Sequence, residues 1–186
     1  AFIQGMYSLS SSSAEEIVGA IDLSRHQCLM DVGGGSGALS IAAVHKYTQL
    51  KAILFELPQV CSVAQEYIDQ NQLEERIKVL PGDFFDRTTM STEADVIALG
   101  GVLHDWSPTQ AKSILRNCYE VLKPEGTLLV CEKLLEEDKT APVFTTLMNL
   151  HGLISSAGEE RTALEYSSWL RDIGLKSVRV QRLNGN

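Results

Sequence analysis

Leu29-Met30-Asp31-Val32-Gly33-Gly34-Gly35-Ser36-Gly37-Ala38-Leu39 is the stretch on which the reading of this chain turns. An apolar, strand-like run ends on an acidic residue, passes through a glycine loop and enters a helix-like segment. Glycines at 33, 35 and 37 permit positive φ and put no Cβ in the way, so a ligand can lie against bare backbone. Free N–H groups at the start of the following helix favour an electron-rich or anionic group. Through Gly33, Gly35 and Ala38 the loop also fits the G-x-G-x-x-G/A dinucleotide pattern. Asp31, at the carboxyl end of the strand, is a poor neighbour for a pyrophosphate and suits the amino group of an amino acid. That carboxylate tilts the reading from a dinucleotide towards S-adenosylmethionine. The loop by itself leaves both open, with a ligand-free packing loop as the third reading.

The chain has 186 residues, enough for one domain with a real core. Hydrophobic residues at 44% and charged residues at 22% are those of a soluble globular protein. A net charge of −8 offers no basic face to nucleic acid. No apolar run approaches the ~20 residues that cross a bilayer, so no membrane partner is expected. Cys28, Cys61, Cys118 and Cys131 are scattered without a C-x-x-C pair, which points to a reduced, cytoplasmic protein and to no metal site. The start at Ala1 and the turn-like close Leu183-Asn184-Gly185-Asn186 read as one domain, 1–186, excised from a longer protein.

Outward from the glycine loop, strands and helices alternate. Ser13, with Glu16 three residues on, starts a short helix. Strands are expected over Gln27–Val32, Lys51–Glu56, Arg76–Leu80, Ala94–Leu99 and Thr127–Glu132, with a sixth over Leu175–Gln181. Helices are expected over Ser36–Tyr47, Pro58–Asn71, Pro108–Leu122, 141–154 and 162–173. This is the pattern of βαβ units and an α/β fold with a mostly parallel twisted sheet. Continuously apolar strands imply helices on both faces. In such sheets ligands sit beyond the carboxyl ends of the strands.

Five consecutive strand ends carry Asp31, Glu56, Asp83, His104 and Glu132. Each has a plain reading alone, since Glu56 can cap the helix at Pro58 and Asp83 can hold its own turn. As a set they are hard to explain by packing. Glu56 lies 25 positions after Asp31, the spacing of an acid that accepts ribose hydroxyls, in a dinucleotide or in S-adenosylmethionine alike. Asp83 with Phe84 suits adenine, a carboxylate for its amino group beside an apolar ring for its face. His104-Asp105-Trp106 follows the fourth strand. An imidazole titrates near ~6.5 and is the usual general base at neutral pH, and a carboxylate on its other nitrogen stabilises the imidazolium. Glu132 is the expected partner, with Asp105 a helix N-terminal acid pointing elsewhere. Trp106 either stacks on the adenine edge or belongs to the core.

These residues carry a resemblance. The chain resembles the catalytic domain of the S-adenosylmethionine-dependent O-methyltransferases that act on small hydroxylated aromatics, among them plant caffeate and flavonoid enzymes, hydroxyindole O-methyltransferase and bacterial polyketide-tailoring enzymes. The matching pieces, in the family's order, are Phe2-Ile3-Gln4-Gly5-Met6, Asp31-Val32-Gly33-Gly34-Gly35-Ser36-Gly37, Phe55-Glu56-Leu57-Pro58, Gly82-Asp83-Phe84-Phe85, Leu103-His104-Asp105-Trp106-Ser107 and Gly158-Glu159-Glu160-Arg161-Thr162. The resemblance implies a Rossmann-like methyltransferase fold and S-adenosylmethionine as cofactor. It implies His104 as the base that removes the acceptor's hydroxyl proton, bracketed by Glu132 and Glu160. It places Asp31, Gly33, Gly35, Gly37, Glu56, Asp83, Phe84 and Trp106 on the cofactor, and Met6, Met148 and His151 at the acceptor pocket. It implies that the full-length protein is a homodimer through an N-terminal helical domain absent here, and that a last antiparallel strand is missing. Gly100-Gly101 stands where many relatives have Lys or Arg. The competing readings are a cofactor-binding relative without catalysis, an N- or C-methyltransferase on the same scaffold, and a nicotinamide-dependent oxidoreductase, which leaves Asp31, Asp83-Phe84 and the acids about His104 without a joint role.

Overall fold

The computed structural model describes residues 2–143, 145–147, 149 and 158–183, with side chains from residue 11 onward. Five strands form one all-parallel sheet in the order β3-β2-β1-β4-β5: β1 Cys28–Val32, β2 Lys51–Glu56, β3 Ile77–Pro81, β4 Val96–Gly100 and β5 Thr127–Cys131. Helices with both ends among the described residues are α1 Phe2–Ala20, α2 Ala38–Lys46, α3 Pro58–Gln70, α4 Pro108–Val121 and α5 Ala163–Asp172, and residues 143, 145–147 and 149, within the helix expected over 141–154, are helical too. Strand order reverses between β1 and β4, so the crevice for a ligand opens above their carboxyl ends.

Side chains alternate across the sheet, and both faces are covered. Met30, Val32, Ile53, Phe55, Ile97 and Leu99 pack with Ala111, Ile114 and Leu115 of α4 and with Trp169 and Leu170 of α5. Leu29, Ala52, Leu54, Val96 and Ala98 pack with Val18 of α1, Ile41 and Val44 of α2 and Ile68 of α3. Burial of each such Leu, Ile or Phe contributes roughly 1.5–3 kcal/mol. The same alternation turns Asp31 towards the α2 face, where its carboxylate meets Ser40.

Local chemistry sets the ends of several elements. Pro58 and Pro108 occupy first turns. Reciprocal capping boxes start α4 (Ser107 with Gln110) and α5 (Thr162 with Glu165). The helix expected from Ser13 is the C-terminal part of a longer one, α1. Nothing in Ser10–Ser13 breaks a helix, and Ala14 and Val18 bury its following turns.

The sixth strand is not formed: residues 175–183 run outside any sheet among the described residues. A strand needs a ladder partner, and no strand pairs with the outer edge of β5 among the described residues. Leu175 and Val178 still pack on the core, while Val180 is half exposed. Two short strands, β6 Leu134–Leu135 and β7 Arg161–Thr162, pair in parallel beside the main sheet. Among the described residues no helix is long and apolar enough to cross a membrane.

Candidate active site

Gly33, Gly35 and Gly37 take positive φ values of 68°, 57° and 84°. At Gly35 a Cβ would meet nothing within 4 Å, so the loop presents bare backbone to open space there. Its N–H donates to Glu56 Oε2 at 3.0 Å, and Glu56 Oε1 accepts the Leu57 N–H at 2.7 Å. Glu56 therefore ties the glycine loop to the end of β2, and its remaining lone pairs stay free for hydroxyl donors. Gly37 caps the start of α2 from behind the loop.

Asp31 is 2% exposed, and its Oδ2 accepts the N–H of Ser40 at 3.2 Å and its hydroxyl at 2.9 Å. Burial pushes its pKa up to about 6 against those two hydrogen bonds. A carboxylate held there gains from a cationic partner, because pairing offsets the cost of desolvation. Asp83, exposed, accepts the Phe85 N–H at 2.8 Å in a tight turn. Beside it, Phe84, Phe85 and Trp106 pack edge to face, with centroid separations of 5.0, 5.7 and 4.8 Å. The Phe84 ring comes within 3.8 Å of where a Gly33 Cβ would be, so this aromatic group borders the glycine loop. Trp106 is thus part of the wall that holds Phe84 and Phe85.

His104 stands on a 3-10 turn, Leu103–Asp105, between β4 and α4. Its Nδ1 is 3.2 Å from Glu132 Oε2 and 3.7 Å from Glu160 Oε1, and both carboxylates are almost wholly buried. The two acids meet because each precedes a strand of the β6–β7 pair, in which Leu134 lies opposite Arg161. Glu132 Oε1 accepts the N–H groups of Val102 and Leu103 at 2.9 and 2.7 Å, so one residue serves both the imidazole and its turn. Asp105 comes close to His104 Nε2, at 3.4 Å, rather than pointing away, because the 3-10 turn folds its side chain back over the ring. Glu132 pushes the His104 pKa up to about 9, with Asp105 and Glu160 adding and burial opposing. Burial raises the pKa of Glu160. His104 Nδ1, Glu132 Oε2 and Glu160 Oε2 are all buried without an aligned hydrogen bond among the described residues. Buried polar atoms that have chiefly one another for partners call for an explanation beyond packing.

Asp31, Gly33, Gly35, His104, Glu132 and Glu160 border one broad, open depression, whereas Gly37, Glu56, Asp83, Phe84 and Trp106 are not among the residues that line it. Gly101, at φ 64°, borders it too, and a Cβ there would touch the His104 ring at 3.9 Å. Met148 and His151 lie outside the described residues, and Met6 is placed on α1 without its side chain. The sequence reading overlooked Asn149, whose side chain accepts the Glu160 N–H at 2.8 Å, and Arg161, buried beneath the His104 turn. Arg161 stood inside a quoted motif, but nothing local showed what it would hold.

A model of the O-methyltransferase domain matches residues 1–176. The chain belongs to that family. An O-methyltransferase of Streptomyces sahachiroi, 3-hydroxy-5-methyl-1-naphthoate 3-O-methyltransferase, is 35% identical over 97% of the chain and 52% of its own length. Acetylserotonin O-methyltransferase of Gallus gallus is 37% identical over 97% of the chain and 51% of its own length. The crystal structure of human N-acetylserotonin methyltransferase with S-adenosylmethionine superposes with a TM-score of 0.88 at 34% identity, over 97% of this chain and 51% of that one. The chain thus spans about half the length of the curated O-methyltransferases it matches.

Proposed function

We propose that residues 1–186 are the catalytic domain of an S-adenosylmethionine-dependent O-methyltransferase acting on a hydroxyl of a small aromatic acceptor. The observation that carries this reading is His104 on the same open depression as the glycine loop, with Glu132 and Glu160 against its buried nitrogen. The relatives support the acceptor class, being named for O-methylation of a hydroxynaphthoate and of acetylserotonin.

The residues present fit the cofactor. Buried Asp31 takes the amino group, the open backbone at Gly35 takes the methionine part, Glu56 the ribose hydroxyls, and Asp83 with Phe84 the adenine. Gly33 and Gly37 keep the loop in shape, and Trp106 backs the aromatic wall. Bound S-adenosylmethionine supplies a methyl group made electrophilic by the positive sulfur it is attached to.

The chain's own residues then position the acceptor and manage one proton. Nδ1 of His104 is buried against acids, so proton exchange with the acceptor hydroxyl falls to Nε2, which the acceptor shares with the exposed Asp105 carboxylate at 3.4 Å. A phenol has a reference pKa near ~10, and a base held by two carboxylates accepts that proton as the oxygen becomes nucleophilic. Glu132 and Glu160 stabilise the imidazolium so formed. Met6, Met148 and His151 complete the proposal as acceptor-pocket residues. Two further parts of the reading are a homodimer of the full-length protein, which rests on the family resemblance, and a cytoplasmic location, which rests on four free cysteines.

Calorimetric titration tests the cofactor assignment. S-adenosylhomocysteine is expected to give a saturable heat and NAD none, and the reverse result would return the site to the dinucleotide binders. A mass-gain screen of the full-length protein against phenols, hydroxyindoles and aromatic polyketides then identifies the acceptor.

A further inference from the structure

His104 is carried on a turn of three residues, Leu103–Asp105, and a single 3-10 turn has weak hydrogen-bond geometry of its own. What holds it comes from outside. At its amino end, Glu132 Oε1 accepts the N–H groups of Val102 and Leu103. At its carbonyl end, Arg161 Nη1 donates to the Leu103 carbonyl at 2.9 Å and Nη2 to the Trp106 carbonyl at 2.6 Å. The Arg161 side chain is fully buried, 4.9 Å from the Trp169 ring centre and 6.0 Å from that of Tyr166, with Glu159 at 3.6 Å. Its backbone is fixed opposite Leu134 in the β6–β7 pair, two residues on from Glu132.

We infer that Arg161 is a positioning residue for His104, gripping the carbonyl end of its turn as Glu132 grips the amide end and so fixing where the imidazole stands relative to Glu132, Glu160 and the open depression. The inference rests on the reading of His104 as the general base. A negative group on the amides and a positive group on the carbonyls match the polarity of the turn at both ends. The two carbonyls belong to residues three apart in the chain, and a planar fork of five donors reaches both while its face stacks on indole. A lysine is a single charged point and cannot span them in the same way.

A second observation points the same way. A Cβ at Gly158 would stand 2.0 Å from the His104 carbonyl oxygen and 2.7 Å from Asp105 Cα. The segment leading into Arg161 therefore lies directly on the backbone of the His104 turn, and only glycine permits that approach. Arg76 provides the contrast. It too donates to backbone carbonyls, those of Val44, Tyr47 and Leu50, but it precedes β3 at the amino ends of the strands, away from His104.

The test compares Arg161→Lys with Arg76→Lys in the full-length protein, alongside His104→Gln. Arg161→Lys is expected to lower the high-pH plateau of kcat, where the imidazole is neutral in both proteins, by ~10- to 10²-fold, the scale of a misplaced catalytic group, with KM for S-adenosylmethionine within about twofold. The titration of the His104 ring, followed by NMR, should move down towards the free value of ~6.5 as the turn drifts from Glu132; the other acids facing the ring are Glu160 and Asp105. Arg76→Lys should lower the melting temperature without changing kcat or that titration. Should Arg161→Lys fail to fold, Arg161→Gln, which keeps a planar donor but cannot reach both carbonyls, is read in its place. The inference is overturned if these variants leave kcat and the His104 titration at wild-type values, or if Arg76→Lys changes both equally. Turnover retained in His104→Gln would defeat the general-base reading instead, and the NMR titration would still report on the turn.

Discussion

Asp31 shows how one residue can be read twice. As a strand-end acid it signalled a cationic ligand group; in the fold it is also the anchor for Ser40 at the start of α2. Its pKa is raised from 3.8 to about 6, chiefly by burial, so the folded state holds the proton more tightly than the unfolded chain. The stability this contributes is full below the unfolded value and is lost as pH rises through about 6. Asp31→Asn keeps the shape and removes the ionisation. Thermal melts should show the variant gaining stability relative to the parent between pH 4 and pH 7, while calorimetry shows S-adenosylhomocysteine binding weakened by ~10-fold or more. A variant that loses ground over that pH range, or binds the ligand unchanged, contradicts the assignment. The strand-end acids and His104 were legible because polar residues after apolar strands have few other reasons to be there. Arg161 was not, because its partners are backbone carbonyls 55 and 58 positions away, which no local pattern records.

At the scale of elements, chain punctuation was the most legible layer. Pro58 and Pro108 placed the starts of α3 and α4, whereas the Ser13–Glu16 signal fell inside α1 and the Ser107 and Thr162 capping boxes emerged only in the fold. The sixth strand failed because Leu175, Val178 and Val180 favour an extended conformation but specify no hydrogen-bonding neighbour. The β6–β7 pair was invisible for the opposite reason, being two residues long and defined only by its pairing. Another unforeseen tie runs from α4 to the loop assigned to adenine: Asn117 Nδ2 donates to the carbonyls of Phe84 at 2.8 Å and Phe85 at 3.3 Å. Asn117→Ala should loosen that loop without touching His104. Steady-state kinetics are expected to show KM for S-adenosylmethionine raised about 3- to 10-fold with kcat little changed. A fall in kcat at unchanged KM would show that the Phe84 wall serves the chemical step instead.

For the whole molecule, sheet order does the placing. With β1 and β4 adjacent and crossovers leaving in opposite directions, the glycine loop and the His104 turn meet over one crevice. Two separate apolar layers hold the sheet rigid from both sides, so strand-end residues keep fixed separations. The five residues of β5 are only half buried, unlike the interior strands β1 and β4, and β3 at the opposite edge is likewise partly exposed, as edge strands are. Catalysis in this account depends on a base whose pKa, about 9 in the free protein, is set chiefly by Glu132. Its sign is testable, since an imidazolium must lose its proton before it can accept one, and the rate should climb with pH through that ionisation. The most direct measurement is the single-turnover rate of methyl transfer by the full-length protein across pH, for wild type and for His104→Ala. The wild-type rate is expected to rise with pH, and the variant rate to be lower by ~10²–10⁴ and flat over the same range, with cofactor affinity preserved. A His104→Ala protein that turns over at the wild-type rate with the same pH profile would contradict the general-base reading of His104.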